Sequence, residues 1–447
     1  MRLPFPFTLS VRTAPRASAG GPPWLVAALY LLIAAGSILR VQSVWTHNPM
    51  DHIWSDPERY WDQAKEPLTP SPLAIFDPPV YQAWLSVVQR FTQGLPGLVA
   101  LYAAALSLAA PWCWYRFLRE AAASRTLALA GWAALSLLPT WIGIYCYFMS
   151  ETLFLPLLGA SLWMTVRADR KRTVPSFLTM VAFWLVTGLT RGIAIPLAAA
   201  AALLVWVRHP QRLKSALTSG LLALAILAPL SYRNYHFYSL WAPYGNGWLN
   251  RIYAESGSRD IQLHFQRGGA TWLYGFGSPS IDTHPLAPFS AWTSHRIGTA
   301  QVAVDFDAGL RDWKYALRAS AQQGRARWRL HGENLIFLFF GDSWPDNNPG
   351  YFIGRLANAS RWLWAPVLLG LLAASAVLWR DTLARPLLPA VIALWLLFQA
   401  WILLVPNEGR YRKPAEGLFV AQIVVLADQV AARRRRPNPE AAPAAAV

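Results

Sequence analysis

Ten apolar runs separated by polar connections constrain the fold of this chain more than any other feature of its sequence. The first run extends from Trp24 to about Val44. A helix rises about 1.5 Å per residue, so a run of this length crosses the hydrocarbon core of a bilayer. Because lipid offers the backbone no hydrogen-bond partner, the pattern predicts an all-α polytopic membrane protein with about ten transmembrane helices. The other nine runs lie at about 95–115, 126–146, 149–166, 174–190, 192–207, 215–232, 362–379, 386–406 and 415–432.

The composition favours a membrane protein over a nucleic-acid-binding one. Hydrophobic residues make up 55% of the chain and charged residues 14%, and the 24 tryptophans suit the aromatic belts of membrane proteins. A net charge of +17 would also suit a nucleic-acid partner. However, the basic residues fall in short clusters between apolar runs, so they indicate topology. We therefore expect the lipid bilayer as a partner and no nucleic acid.

Basic clusters mark every second connection between the apolar runs. Under the positive-inside rule these connections face the cytoplasm, so we predict a multi-pass protein of the inner (plasma) membrane with both termini in the cytoplasm. The first connection of the other set, residues 45–94, holds more acidic than basic residues. The basic clusters are Arg116, Arg119 and Arg125; Arg167, Arg170, Lys171 and Arg172; Arg208, Arg212 and Lys214; Arg380 and Arg385; and Arg433 to Arg436.

The connection between the seventh and eighth runs is too long for a plain connector. It is rich in aromatic residues, Gly and Pro, and we predict that it folds as a small mixed extracytoplasmic domain. The predicted parts are a cytoplasmic segment (1–23), a transmembrane core (24–233) with a first outer loop (45–94), the extracytoplasmic domain (234–360), the C-terminal transmembrane helices (361–432) and a basic, disordered cytoplasmic tail (433–447).

Residues 312–340, within the predicted external domain, have the pattern of a helix. Arg325, Arg327 and Arg329 lead into the apolar residues 335–340. Such a sequence indicates either a helix that lies in the membrane interface or a surface helix that packs on the bundle. The sequence leaves both interpretations open.

Several charged and polar residues fall at the ends of apolar runs on the predicted outer face. Charges at membrane depth are costly unless they are paired or face water, so their grouping indicates a polar cavity. In chain order they are Asp56 and Asp77 in the first outer loop, Glu151 between the third and fourth runs, Arg191 between the fifth and sixth, Arg233 and Asn234 after the seventh, and Arg410 and Lys413 between the ninth and tenth.

Two segments of the first outer loop resemble those of a known class of membrane enzymes. Asp56-Pro57-Glu58-Arg59-Tyr60 resembles the Asp-Glu-x-Arg-Tyr type segment of the GT-C glycosyltransferases, which include the protein O-mannosyltransferases and the lipid A aminoarabinose transferases. Asp77-Pro78-Pro79-Val80-Tyr81 is similar to the Pro-Pro motif that follows it, although Asp77 stands where His or Lys is commoner.

Four later motifs resemble the same class and follow in its order, so the resemblance covers most of residues 24–420. All four are also predicted to lie on the outer face of the membrane, which adds to the similarity. They are the acidic turn Met149-Ser150-Glu151-Thr152-Leu153-Phe154, the Arg-containing turn Gly188-Leu189-Thr190-Arg191, the Arg-Asn pair in Arg233-Asn234-Tyr235 and the Arg-Tyr motif in Arg410-Tyr411-Arg412-Lys413-Pro414.

The resemblance implies transfer of a sugar, a hexose or a pentose, from a polyprenyl-phosphate donor to an extracytoplasmic acceptor. The acceptor is an envelope glycolipid, a polysaccharide or a protein. Asp56 is the candidate general base, and partial burial is expected to raise its pKa toward a useful range. Glu151 and Asp77 are expected to position Asp56 or the sugar, and with Asp56 they suggest oxygen ligands for a divalent cation, the one cofactor left open.

Cationic side chains are expected to stabilise the charge that develops on the leaving phosphate. Arg191, Arg410 and Lys413 are the candidates for this role. The remaining candidates, expected to contact substrate, are Arg59, Tyr60, Tyr81, Arg233 and Asn234.

Two other functions remain open at this stage. A carrier or flippase of lipid-linked glycans would also need a polar cavity, but near the bilayer midplane instead of at the ends of spans. A membrane scaffold would use its outer domain only to bind a partner. The chain lacks a glycine-rich phosphate loop, which argues against an ATP-driven pump.

Overall fold

The fold is a bundle of helices, many of which begin with proline. Proline suits the first turn of a helix because its missing N–H group would have no partner there. The computed structural model describes residues 21–66, 75–122, 124–238, 240–243, 245, 250, 260–267, 270–276, 299–305, 323–403 and 409–434.

The described helices follow the predicted apolar runs, with additional short helices between them. One-turn segments of 3-10 or π-helix also occur at Pro49–His52, Ile144–Cys146, Phe398–Ile402 and Gly409–Arg412. The helices are α1 (Pro23–Thr46), α2 (Asp56–Gln63), α3 (Pro79–Thr92), α4 (Pro96–Ala121), α5 (Arg125–Leu137), α6 (Pro139–Gly143), α7 (Ser150–Lys171), α8 (Val174–Thr190), α9 (Ala194–Trp206), α10 (Arg212–Tyr238), α11 (Gln323–Phe340), α12 (Phe352–Val377), α13 (Trp379–Ala384), α14 (Leu387–Leu397) and α15 (Lys413–Arg434).

Among the described residues, five helices are long and apolar enough to cross a membrane. They are α1, α4, α10, α12 and the helix Gly409–Arg434, which includes α15. A sixth span results if α5 and the segment Pro139–Cys146 are counted together across the 60° bend between them. Three shorter apolar helices, α8, α9 and Leu387–Ile402, occupy further predicted runs. The chain is therefore a helical membrane protein, and the number of ten spans stays a prediction.

The segment predicted as an external domain contains the described strands. Strands β1 (Asp260–Arg267), β2 (Ala270–Phe276) and β3 (Thr299–Asp305) form one sheet in the order β2-β1-β3. β1 pairs antiparallel with β2 and parallel with β3, and His264 is opposite Leu273 and Ala303. The position of this sheet relative to a membrane stays a prediction.

Some predicted boundaries move and others fall outside the described residues. The predicted eighth run begins ten residues earlier, because α12 starts at Phe352. The predicted helix 312–340 is found as α11, and its first part, 312–322, lies outside the described residues. So do residues 1–20 and the predicted disordered tail from residue 435. The C-terminal half of α11 packs on the bundle through Phe337 and Leu338, which are fully buried.

Helix α7 lies at the centre of the bundle and packs closely on α4 and α15. Gly159 of α7 and Gly417 of α15 leave room for the ring of Trp114, which a β-carbon at either position would meet within 3 Å. The Trp114 indole donates to the carbonyl of Leu155, 2.9 Å away. Small residues at these positions let the helices approach closely, which is how helices associate in the absence of water.

A buried arginine in α1 stabilises the break between α5 and α6. Pro139 has no N–H group to donate to the carbonyl of Leu135. The fully buried Arg40 guanidinium donates to this carbonyl at 2.6 Å and to that of Ser136 at 2.9 Å. It also donates to the carbonyls of Ser107 and Trp141, each at 2.9 Å. One side chain therefore joins α1, α4, α5 and α6.

We expect Arg40→Met to lower the free energy of unfolding by about 3 kcal/mol or more, because buried carbonyls lose their donor and each unpaired group costs about 1–3 kcal/mol. Unfolding of the purified protein in detergent micelles measures this change. Arg125→Met is the control, since the exposed Arg125 donates to the Tyr30 hydroxyl at the surface. A loss no larger in Arg40→Met than in Arg125→Met would contradict the role given to Arg40.

Candidate active site

Three carboxylates and three arginines from distant parts of the chain form one network of ion pairs, here called the outer cluster. Each of the three carboxylates has a guanidinium group within ion-pair distance. All six residues were predicted site residues, and the structure brings them together. They are Asp56, Arg59, Asp77, Glu151, Arg191 and Arg410.

Helix α2 sets the position of Asp56 and Arg59. Asp56 begins the helix directly after Ser55, whose φ of 59° lies in the left-handed region that non-glycine residues rarely adopt. One helical turn later, Arg59 places Nη2 3.1 Å from Asp56 Oδ1 and 3.1 Å from Asp77 Oδ1. The amide of Gln82 donates to the other oxygen of Asp77 at 3.2 Å. Arg59 therefore joins the two carboxylates of the first outer loop.

The helices α7 and α8 bring Glu151 and Arg191 together at one end of the bundle. Glu151 is in the first turn of α7, and Arg191 follows the last residue of α8. Because a connection of two residues reverses the chain, the start of α7 lies beside the end of α8. A carboxylate at a helix N-terminus and a cation at a C-terminus are each favoured by the helix dipole. The two side chains form an ion pair, and Arg191 also donates to the Ser150 hydroxyl at 3.3 Å.

Arg410 connects the two halves of the outer cluster. Its Nη1 lies 2.8 Å from Asp56 Oδ2, and its Nε lies 4.0 Å from Glu151 Oε1. The guanidinium carbon lies 4.7 Å from the centre of the Trp344 ring and 5.2 Å from that of Tyr411. Gly409 makes this position possible, because a β-carbon there would meet the backbone of Gly341 and Asp342.

The outer cluster has an accessible rim and a closed floor. The side chain of Asp56 is 14% exposed, and those of Arg191 and Arg410 are 13% and 10% exposed. The side chains of Asp77 and Glu151 are fully buried. A ligand that enters from solvent therefore meets Asp56 and arginines first, with the other two carboxylates behind them.

The structure corrects the expected pKa of Asp56. Burial acts to raise the pKa of this carboxyl, but the Arg59 and Arg410 guanidinium groups outweigh it, and the pKa lies below its ordinary value. Asp77 shows the shift that was expected of Asp56. Burial raises the pKa of Asp77 to about 6, and the single neighbouring guanidinium of Arg59 opposes it only in part.

The two predicted tyrosines form a wall behind the outer cluster. Tyr81 is fully buried and meets Tyr60 edge-on, with ring centres 5.2 Å apart. The Arg59 guanidinium carbon lies 5.0 Å from the centre of the Tyr60 ring, and burial raises the pKa of Tyr60. No face of the Tyr81 ring is exposed in this arrangement, and its contact with substrate stays a prediction.

Lys413 belongs to a second, buried network and not to the rim. Its ammonium group is fully buried and lies 2.7 Å from Asp346 Oδ1 and 2.5 Å from the Ser343 hydroxyl. Next to it, Arg412 pairs with Glu416 at 3.0 Å. In this arrangement the charge of Lys413 is paired with Asp346 inside the protein, and its role as a phosphate ligand stays a prediction.

Arg233 and Asn234 hold the end of α10. The Asn234 amide donates to the carbonyls of Ala242 and Pro243, at 2.9 and 2.8 Å, and is nearly fully buried. Arg233 donates to the side-chain oxygen of Asn234 at 3.4 Å. These bonds give the Arg-Asn pair a local structural role, and its contact with substrate stays a prediction.

The geometry does not favour a divalent cation between the carboxylates. Within the described ranges, no three His, Cys, Asp or Glu side chains are grouped as metal ligands. The nearest charged groups to the three carboxylates are guanidinium groups. Carboxylates that bind a divalent cation have negative charge available for it. Here the guanidinium groups already neutralise the three carboxylates, so a cation would have to displace arginines.

Four residues that complete the outer cluster were not among the predicted site residues, although Ser150 and Tyr411 lie within the motifs quoted from the sequence. Gln82 and Ser150 bond directly to its charged members, and Trp344 and Tyr411 supply rings beside Arg410. Ser150 and Tyr411 adjoin predicted site residues in the chain, which is a usable signal. Trp344 gives no such signal, because it is one of 24 tryptophans and lies in a distant segment.

Comparison with known proteins assigns the chain to no family. No family model matches it, and no curated protein sequence matches it. The function of the outer cluster therefore has to be inferred from its geometry, its charges and the order of its residues in the chain.

We expect Asp77→Asn to gain stability relative to wild type as the pH rises. The folded protein holds the Asp77 proton up to a pH of about 6, whereas a free carboxyl loses it near 3.8, so this group destabilises the fold as the pH rises through that window. Asparagine has no proton to lose. The difference in unfolding free energy, variant minus wild type, should be about 2 kcal/mol larger at pH 7 than at pH 4.

Unfolding in detergent micelles at both pH values measures this difference. Asp62→Asn is the matched control, because Asp62 is an exposed residue of the same loop that pairs with Lys65 at 2.7 Å. Equal differences at pH 4 and pH 7 for Asp77→Asn would show that the carboxyl is not perturbed as described.

Proposed function

We propose that the chain is a membrane glycosyltransferase of the GT-C type, which moves a sugar from a polyprenyl-phosphate donor to an extracytoplasmic acceptor. The observation that carries the proposal is the outer cluster itself. Motifs that follow one another in the order of that class supply its six charged residues. The rim presents one carboxylate together with arginines, which are the two kinds of group that the reaction requires.

The rim suits the charge changes of this reaction. A bond forms between the acceptor oxygen and the anomeric carbon, while the bond from that carbon to a phosphate oxygen breaks and its electron pair leaves with the phosphate. A guanidinium group stabilises such a leaving group well, because it binds two phosphate oxygens at once. Arg191 and Arg410 are partly exposed on the rim and are the proposed phosphate ligands.

Asp56 is the proposed general base, because it is the carboxylate on the accessible rim. Its lowered pKa keeps it ionised but makes it a weak base while Arg410 is bound to it. A donor phosphate competes with Asp56 for the same guanidinium group. Its arrival would therefore raise the pKa of Asp56 and increase its basicity at the moment when the acceptor proton has to be taken up.

Asp77 and Glu151 are proposed as positioning residues. They lie on the closed floor, where Asp77 holds Arg59 at 3.1 Å and Glu151 holds Arg191. Their charges fix the guanidinium groups in place before the donor binds. Such preorganisation is what makes charged groups effective in stabilising a transition state.

The outer cluster is also the basis of the proposed topology. All of its members fall in, or within a few residues of, connections that the charge alternation assigns to the extracytoplasmic face. We therefore place the active site on that face, with about ten spans, cytoplasmic termini and an external domain in residues 234–360. The cluster lies at helix ends instead of in the middle of spans, which favours surface chemistry over the alternative of a carrier with a midplane site.

We expect Asp56→Asn to lower sugar transfer by about 100-fold or more, the typical contribution of a general base. The assay supplies labelled polyprenyl-phosphate sugars to isolated membranes and compares variants at matched protein levels. Asp62→Asn, a change of the same kind on the exposed side of α2, should transfer sugar as wild type does. Equal activity of Asp56→Asn and wild type would remove Asp56 from the mechanism, and no transfer by wild type from any donor would favour the carrier.

We expect Arg410→Gln both to slow transfer and to change its pH dependence. Removal of one of the two guanidinium groups beside Asp56 raises the pKa of this carboxyl. Because the reaction needs ionised Asp56, the acidic limb of the rate profile should move to higher pH. Arg410→Lys keeps the positive charge and should leave the limb nearer its wild-type position. An unmoved limb in Arg410→Gln would separate Arg410 from Asp56 in the mechanism.

A further inference from the structure

A strongly basic cavity lies at the opposite end of α7 from the outer cluster, where α7 and α4 both end; it is here called the basic pocket. Its volume is about 550 Å³. Five of its seven lining residues are cationic and one is acidic. The lining residues are Tyr115, Arg116, Arg119, Glu120, Arg167, Arg170 and Lys171.

The single acid of the basic pocket is already engaged. The indole of Trp163 donates to Glu120 at 2.7 Å, and Arg170 lies 3.5 Å from the same carboxylate. Within the described part of the chain, Arg116, Arg119, Arg167 and Lys171 have no carboxylate at ion-pair distance. Helix dipoles favour cations at helix C-termini, but like charges around one cavity repel each other. The basic pocket therefore has a net positive charge that its own residues do not neutralise, and a bound anion would balance it.

Aromatic rings hold two of these arginines at the cavity. The guanidinium carbon of Arg116 lies 4.5 Å from the centre of the Trp163 ring and 5.6 Å from that of Trp112. The guanidinium carbon of Arg167 lies 5.4 Å from the centre of the same Trp163 ring. Such stacking orients a guanidinium group without neutralising it, so its N–H groups stay available to an anion.

The depth of the basic pocket selects the kind of anion. Helix α7 runs from Glu151 in the outer cluster to Lys171 in the basic pocket, a rise of about 30 Å, which matches the thickness of the hydrocarbon core. Helix α4, which also ends at the pocket, is long and apolar enough to cross a membrane. Under the proposed topology the pocket is therefore at the level of the lipid phosphates on the side opposite the outer cluster. Trp112, 42% exposed beside it, has the amphipathic ring that is typical of this level.

We propose that the basic pocket binds the phosphate headgroup of an anionic phospholipid. Basic pockets between membrane helices suit such headgroups, which supply phosphate oxygens and a net negative charge. Phosphatidylglycerol fits these requirements, whereas the net charge of zero on phosphatidylcholine leaves the arginines without compensation. This site is separate from the outer cluster and does not depend on the proposed sugar transfer.

The test is a lipid titration of the purified full chain in a neutral detergent, with bound lipid counted by native mass spectrometry. Wild type should bind phosphatidylglycerol in preference to phosphatidylcholine. The variant Arg116→Gln/Arg119→Gln/Arg167→Gln should lose at least about tenfold in affinity for phosphatidylglycerol, because each basic residue near anionic lipid contributes roughly a factor of five.

A second variant with the same change in net charge controls for non-specific electrostatic attraction between the protein and anionic lipid. Arg212→Gln/Lys214→Gln/Arg380→Gln removes three basic residues that are predicted on the same side of the membrane and do not line the pocket. It should bind phosphatidylglycerol as wild type does. Equal losses in the two variants, or none in the pocket variant, would overturn the proposal.

Inorganic phosphate distinguishes a lipid site from a simple phosphate site. If inorganic phosphate displaces phosphatidylglycerol at equal concentration and stabilises the protein as much as the lipid does, the lipid assignment is wrong. If the triple variant does not fold, Arg119→Gln repeats the titration with one change, since Arg119 makes no hydrogen bond within the described residues. We then expect a roughly fivefold loss, and unchanged affinity would overturn the proposal.

Discussion

The candidate active site depends on the guanidinium group of Arg410. It contacts Asp56 across 354 positions of the chain and approaches Glu151 at the start of α7. Without this guanidinium group, Asp56 and Glu151, which have little or no access to water, would each lose a positive neighbour. Removal of one partner of a buried ion pair costs about 3–5 kcal/mol. The close contact of Gly409 with residues 341 and 342 holds this guanidinium group in place.

A balance of charge explains how this network can be both stable and reactive. The three carboxylates and three guanidinium groups of the outer cluster neutralise one another in surroundings with little water. An anionic ligand adds negative charge to this balance and competes for the accessible arginines. The carboxylate that shares an arginine with the ligand is the one whose pKa changes most, and on the rim this is Asp56.

The two ends of α7 lie in surroundings of different net charge. At one end Glu151 takes part in a neutral network, and at the other Arg167, Arg170 and Lys171 line a pocket with a large positive excess. About 30 Å of helix separates them, which is close to the thickness of the hydrocarbon core of a bilayer. The basic end contains residues of the clusters from which the positive-inside rule predicts the orientation.

The sequence by itself determined the helical membrane class and the residues of the outer cluster. Apolar length and the alternation of charge are properties of the chain taken in order, and lipid leaves few folds that satisfy them. Tertiary structure alone decided which charges meet. Arg410 reaches Asp56, while Lys413, three residues later, turns inward to Asp346. It also decided that Asp77 and not Asp56 has the raised pKa, because a pKa depends on burial and on distances to charges that the order of residues does not contain.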